Sequence, residues 1–384
     1  MNPRQRLLTA LALKEPDQVP VMDQVFNADI YEAALGYRPR YFTSEDSFRC
    51  SAAMGMDGAF VIPAGYVAIE PVGNQGGMWE SEWGCTYATH DGAWGVGMPR
   101  EYRVKTHDDL RHFVPPDPHL PGRMDAVERA AELREKQPLA LIGAVRGPFA
   151  LTAYHFLGMV ATMEAIYDQP DMLRLAFRMA TDFALGICRQ MAELGVDVLW
   201  VTEDIAGASG PLLSPAHYRA LVAPFLRELC DGARSAGMPV VFHSDGYVIP
   251  FLDDLIQAGI SGLDPLEPAA GMDLAKAKQQ HGNRICLLGN VDNKRVLTEG
   301  TPDLVEQTVK TCIEAAGLGG GYVVMSDNSW HAGVTVENAA AQVRAARAWG
   351  TYPLDWIQDQ PTPLRPLAKT GDYRKQGTTA KRVK

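Results

Sequence analysis

The chain has 384 residues, 46% of them hydrophobic and 21% charged, and a formal net charge of −10. That is the balance of an ordinary globular protein, long enough for one large α/β barrel or two domains and too acidic for a broad nucleic-acid-binding face. Six scattered cysteines without a CxxC pair argue against a disulfide framework and fit reduced thiols in a cytoplasmic protein, and no apolar run reaches the length that spans a bilayer.

Arg4 and Arg6 precede the apolar run LLTALAL, which stops at Lys14, Glu15 and Pro16. The spacing predicts an amphipathic helix over 3–13 rather than a leader peptide. A first strand is expected at Val19–Val25, helices at 28–36 and 45–55, and a second strand at 58–63. Residues 64–120, with Trp79, Trp83, Trp94 and PPDP at 115–118, break the alternation and read as a β-hairpin insertion after strand 2. Its aromatics are expected to pack the insertion, roof the barrel mouth or form a homodimer contact. Further strands follow at Leu139–Val145, Val198–Thr202, Pro239–Phe242, Gly262–Leu266, Ile285–Gly289 and Tyr322–Met325. Helices are expected between them at 125–136, 149–195, 215–236, 249–260, 272–281 and 302–316, and a last one at 336–349. Eight strand signals in mostly βα units predict a single (β/α)8 TIM barrel over residues 1–352. An open doubly wound sheet is the runner-up, but no GxGxxG turn follows the first strand. The stretch from Pro361 carries seven Lys/Arg against one acid, so 353–384 reads as a basic, disordered tail.

The strand ends collect polar residues: Asp23, Arg146, Glu203, Asp204, His243, Asp245, Glu267, Asp292, Asp327 and Asn328. In a closed barrel they would share one bowl. Carboxylates crowded together stay ionised only beside a compensating cation. His243 and Asp245 form an H-x-D pair, and with Glu267 and Asn328 they offer a divalent metal one imidazole, two carboxylates and an amide oxygen. The alternative is a histidine merely oriented by an aspartate.

The segments NPRQRLLTALALKEPDQVPV, SPAHYRALVAPFLRELCDGARSAGMPVVFHSDG, LDPLEPAAGMDLAKAKQQHG and TVENAAAQVRAARAWG resemble the uroporphyrinogen decarboxylase superfamily across about residues 3–350. The resemblance implies a (β/α)8 barrel. One branch decarboxylates uroporphyrinogen and uses arginines in an N-terminal motif like RQAGRY. Here MDQVFNADIYEAALGYRPR lacks that glycine and both arginines at the matching place. The other branch moves methyl groups between a corrinoid protein and a thiol or small substrate, on zinc held by H-x-C and a later cysteine. Cobalamin-independent methionine synthases look similar and add a glutamate. Carried over, the ligands fall on His243, Asp245, Glu267 and Asn328, with oxygen donors in place of both thiolates.

On that resemblance the chain is expected to be a methyltransferase acting on a small methylated substrate, with a corrinoid protein as partner and a divalent metal, zinc among the options. Asp204, Glu203, Asp23 and His331 are the candidate proton-transfer groups, and Arg146, Asp292 and Asp327 the candidate substrate contacts. The alternatives are a decarboxylase of uroporphyrinogen or another carboxylic acid, anchored by Arg146, and a non-catalytic binding barrel. None of the cysteines is expected to take part.

Overall fold

The computed structural model describes residues 1–357 apart from 67, 72–73, 75–76, 90–93 and 95; the tail expected to be disordered lies outside the described residues from 358 onward. Seven strands make one parallel sheet: β1 Gly58–Val61, β2 Ala140–Arg146, β3 Val198–Thr202, β4 Val240–His243, β5 Gly262–Asp264, β6 Cys286–Val291 and β7 Tyr322–Ser326. They lie side by side in chain order. The segment 20–22 runs between the two edges. Met22 N donates to Val324 O at 3.1 Å and Val324 N to Pro20 O at 2.9 Å, while Asp57 N donates to Val21 O at 2.8 Å. The first strand is thus shorter than the sequence suggests, because Pro20 has no amide to donate. Val25, expected to end it, instead pairs, together with Phe26, with Trp330–His331.

The strands alternate between two faces, as their period of two requires. One set forms an inner core: Phe60 and Ile62, Ala140, Ile142 and Ala144, Val198 and Trp200, Val241, Cys286 and Leu288, Val323 and Met325. The other set, including Leu141, Leu199, Phe242, Leu263 and Val324, packs on the helices. The helix Pro3–Leu11 adds Leu7 and Leu11 to the inner core. Its start is fixed by a capping box: Asn2 Oδ1 accepts from Gln5 N at 2.8 Å and Gln5 Oε1 from Asn2 N at 3.1 Å.

Where the sequence suggests one hairpin, the described residues hold a three-stranded antiparallel sheet, Met78–Glu80, Cys85–Ala88 and Met98–Tyr102. The helical stretch 149–195 is cut into pieces at Gly158, whose φ is +91°, and at Pro170, which begins the helix Pro170–Glu193. In 215–236, Ser214 caps the start as its sequence implies, but residues 218–222 are a π-turn. Pro224 supplies no amide for the regular i→i−4 bond there. No helix among the described residues is long and apolar enough to cross a membrane.

Candidate active site

The inner-face series does not stop at the apolar core. Two residues beyond Ala144 comes Arg146, beyond Trp200 comes Thr202, beyond Val241 comes His243, and beyond Gly262 comes Asp264. Backbone pairing aligns all four: Arg146 with Thr202, Thr202 with His243, and His243 with Asp264. The C-terminal ends of four adjacent strands therefore present one row of polar side chains above the core, the edge at which parallel α/β sheets place their chemistry.

His243 is the centre of this row. It is 8% exposed, and its Nδ1 lies 2.6 Å from Oδ2 of the fully buried Asp264. Asp264 Oδ1 has no partner. On the other side of the ring, Nε2 lies 3.8 Å from Asp245 Oδ1. One oxygen each of Asp204 and Asp245 and one nitrogen of His243 fall within 4.8 Å of one another. Burial alone would lower the His243 pKa, but the bond to Asp264 and the charges of Asp245, Asp264 and Asp204 outweigh it and hold it at about 9. Burial raises Asp204 and Asp245 above the usual carboxylate range, against the pull of the imidazolium. Asp264 is likewise pushed up by burial, to about 6.

The donor set suits a divalent cation. Donors held at about 2.1 Å by one ion stand about 3–4 Å apart, the spacing of His243 Nε2 and Asp245 Oδ1. A histidine that ligates through one nitrogen and gives the other to a buried carboxylate is the usual arrangement around bound metals. With two carboxylates and an imidazole, the set favours hard or borderline ions over soft ones.

The other two residues expected as ligands are engaged differently. Glu267 Oε2 accepts from Gly246 N at 2.9 Å. Asn328 turns its Nδ2 toward both oxygens of Asp245, at 3.1 and 2.9 Å, and its Oδ1 accepts from Ser329 Oγ at 2.9 Å. Both nevertheless line a cleft of about 320 Å³ with Asp245, Asp292, Asn293, Lys294, Arg295 and Asp327. Burial pushes the Asp327 carboxyl up to about 8, with the neighbouring charges of Asp292, Glu267 and Asp245 adding to it. Asp292 Oδ1 accepts from Arg295 N at 2.6 Å while its Oδ2 is buried and unpartnered.

The remaining candidates are spread around this centre. Glu203 is fully buried and accepts from Phe149 N and Ala150 N, at 3.1 and 2.5 Å; burial raises it to about 8. Asp23 accepts from Ser326 N, Ser326 Oγ, Gln342 Nε2 and Gln24 N, tying the first strand to β7. His331 is exposed, and its Nδ1 accepts from Gly333 N at 3.0 Å. Asp264 is the participant that strand-end reading misses: it stands inside LDPLEP, and only the register with His243 reveals it. All six cysteines are buried, and burial pushes their thiols up to about 11 at Cys85 and Cys188 and about 12 at Cys50, Cys230, Cys286 and Cys312. A thiol so raised is not a nucleophile at neutral pH.

Among known proteins, the chain is 29% identical over 236 residues to the methylcobamide:CoM methyltransferase MtaA of Methanosarcina barkeri, a stretch that covers 60% of this chain and 66% of that protein. It is 25% identical over 265 residues to a uroporphyrinogen decarboxylase of Aeromonas salmonicida, covering 65% of this chain and 71% of that one. The match thus spans just under two thirds of the methyltransferase's length. A solved structure of a methyltransferase from Methanosarcina mazei superposes with a TM-score of 0.73 at 23% identity, covering 91% of this chain and 99% of that one, a likeness of fold. The model of the family "Uroporphyrinogen decarboxylase (URO-D)" matches residues 82–349, which takes in β2 to β7 and every residue of the polar row, and the chain belongs to that family.

Proposed function

We propose that the chain is a methyltransferase that takes a methyl group from a small methylated compound, works as a single closed barrel, and hands the methyl to a corrinoid carried by a partner protein. The observation that carries this reading is the convergence of Asp204, His243 and Asp245, with Asp264 behind the imidazole, beside the cleft at the strand ends. Asp204, His243 and Asp245 would hold a divalent ion, zinc or a harder one. Such an ion supplies Lewis acidity toward the heteroatom that bears the methyl. The resemblance to the methyltransferase branch and the relatives named methyltransferases support the choice of reaction.

The residues themselves do the rest. Asp264 accepts from Nδ1 of His243, so that Nε2 faces the carboxylates and would give up its proton to hold the ion. Asn328 holds Asp245 in place through both of its oxygens. Asp327, whose carboxyl burial pushes up to about 8, is the group placed to donate a proton to the leaving heteroatom as it takes the electron pair of the broken carbon–heteroatom bond. Asp245, Glu267, Asp292 and Asp327 outnumber Lys294 and Arg295 along the cleft, which weighs against a many-carboxylate porphyrinogen as its occupant.

The test is incubation of the purified protein with divalent metal, reduced cobalamin and a panel of methyl ethers, thioethers and methylamines, read by the absorbance change of cobalamin on methylation. Methylation with a panel member, lost in His243→Ala, is expected. Release of carbon dioxide from uroporphyrinogen, with no methylation across the panel, would overturn the reading.

A further inference from the structure

Arg146 ends the polar row on β2 and is the unusual member of it. Among the described residues its guanidinium makes no ion pair, although it stands in a bowl rich in carboxyls. Its half-buried side chain lies over the Tyr66 ring at 4.8 Å, and its Nε is buried without a partner. The nearby acids are already committed. Both oxygens of Glu203 are taken by the backbone amides of Phe149 and Ala150. Asp204 Oδ1 accepts from Asp245 N at 3.2 Å, and Asp204 belongs to the group around His243. Arg146 is held in place independently of any anion, because Tyr66 beneath it is pinned by a 3.0 Å bond from its hydroxyl to Thr202 Oγ1, the next residue of the row. Arg146 and Tyr66 together line a small pocket of about 20 Å³, and Tyr66 also lines the neighbouring cleft of about 490 Å³.

A partly desolvated guanidinium with a pre-set fork and no carboxylate partner is built to take a planar oxyanion in two parallel bonds. Its strand is separated from that of His243 by one other, so the two backbones lie about 10 Å apart. We propose that Arg146 is the anchor for an oxyanion head group on the methylated substrate, which is thus a small methylated acid with its methyl-bearing heteroatom several bonds from a carboxylate. Tyr66 is a positioning residue for that anchor. This rests on the methyltransferase reading for the word methylated, but the anion site does not.

The test is calorimetric titration of the protein with methoxyacetate, 4-methoxybenzoate and ethanesulfonate, and with the amides of the two acids as uncharged probes. Wild-type protein should bind an acid at least tenfold more tightly than its amide. Arg146→Met should abolish that preference, and Arg146→Lys should keep part of it, with both variants melting near wild type. Preference for the carboxylates supports the substrate proposed; preference for ethanesulfonate supports the oxyanion anchor and gives it to a sulfonate instead. Equal binding of acids and amides, no binding of any acid, or acid binding that survives in Arg146→Met would overturn the proposal. Arg146-dependent acid binding without any methyl transfer would leave the anchor standing and sink the methyltransferase reading alone.

Discussion

The bond between Asp264 and His243 is the most exposed part of the metal assignment. It is a 2.6 Å contact between a fully buried carboxylate and a nearly buried imidazole. Hydrogen bonds to charged groups contribute about 1.5–3 kcal/mol, and loss of a carboxylate behind a metal-bound histidine weakens metal affinity about 10–100-fold, or about 1.4–2.7 kcal/mol. The two ranges agree. Asp264→Asn keeps the shape and a neutral acceptor, so about tenfold is expected. Asp264→Ala leaves Nδ1 unpaired in a buried site, so about 100-fold is expected. The assay is competition for zinc or manganese against a chromophoric chelator, with thermal melting as the check on folding. If Asp264→Ala binds the ion as wild type does while His243→Ala does not, the carboxylate has no part in holding the ring. If the wild-type protein binds no divalent ion, the metal assignment goes with it.

Three further outcomes follow from the packing. A Cβ at Gly147 would collide with the Glu203 carboxyl, so Gly147→Ala should lower stability by about 1–3 kcal/mol in urea denaturation; an unchanged midpoint would contradict the placement of Glu203. Asp23 is fully buried, and burial raises its pKa from 3.8 to about 7 against the hydrogen bonds from Ser326 and Gln342. Its folded pKa exceeds its unfolded one, so its contribution is greatest below about pH 3.8 and declines as pH rises to 7, by up to about 4 kcal/mol. Asp23→Asn should remove that slope from the stability–pH curve, and a variant with the same slope as wild type would refute the assignment. Cys286→Ala should fold, lose about 1–2 kcal/mol and keep its turnover; an inactive but stable variant would bring the thiol into the chemistry.

Much of the fold was legible because β strands flanked by glycine and proline announce themselves locally. Valine-rich runs such as VLWV and VVFH name their strands, and Gly55 and Pro215 mark helix ends. The polar residues at the strand ends are visible for the same reason, since a strand end is a local feature. The pairing of their side chains is not. Whether His243 meets Asp264, Asp204 or Glu267 depends on register between strands about 20 and 40 residues apart in sequence and on which lone pairs backbone amides have already taken. Gly246 N engages Glu267 and Asn328 engages Asp245, and no pattern in the chain displays either. The first strand was read too long for a different reason: Val19–Val25 has strand composition, but Pro20 interrupts its pairing and the chain changes partner at Val25.

The row Arg146, Thr202, His243, Asp264 is set by main-chain pairing and not by the side chains it displays. Each position works as a socket whose coordinates are guaranteed by the sheet, so its occupant can be exchanged without shifting the backbone that presents its neighbours. A lineage built on such a rack can trade a soft ligand for a hard one, or one head-group anchor for another, by point mutation alone. A slip of one residue in any strand would instead turn its socket to the opposite face and lose it. Drift in such a scaffold is therefore permissive about residue identity and strict about strand length. The aspartate and asparagine at 245 and 328, where the family resemblance implies cysteines, stand two residues past the ends of β4 and β7, just outside this rack.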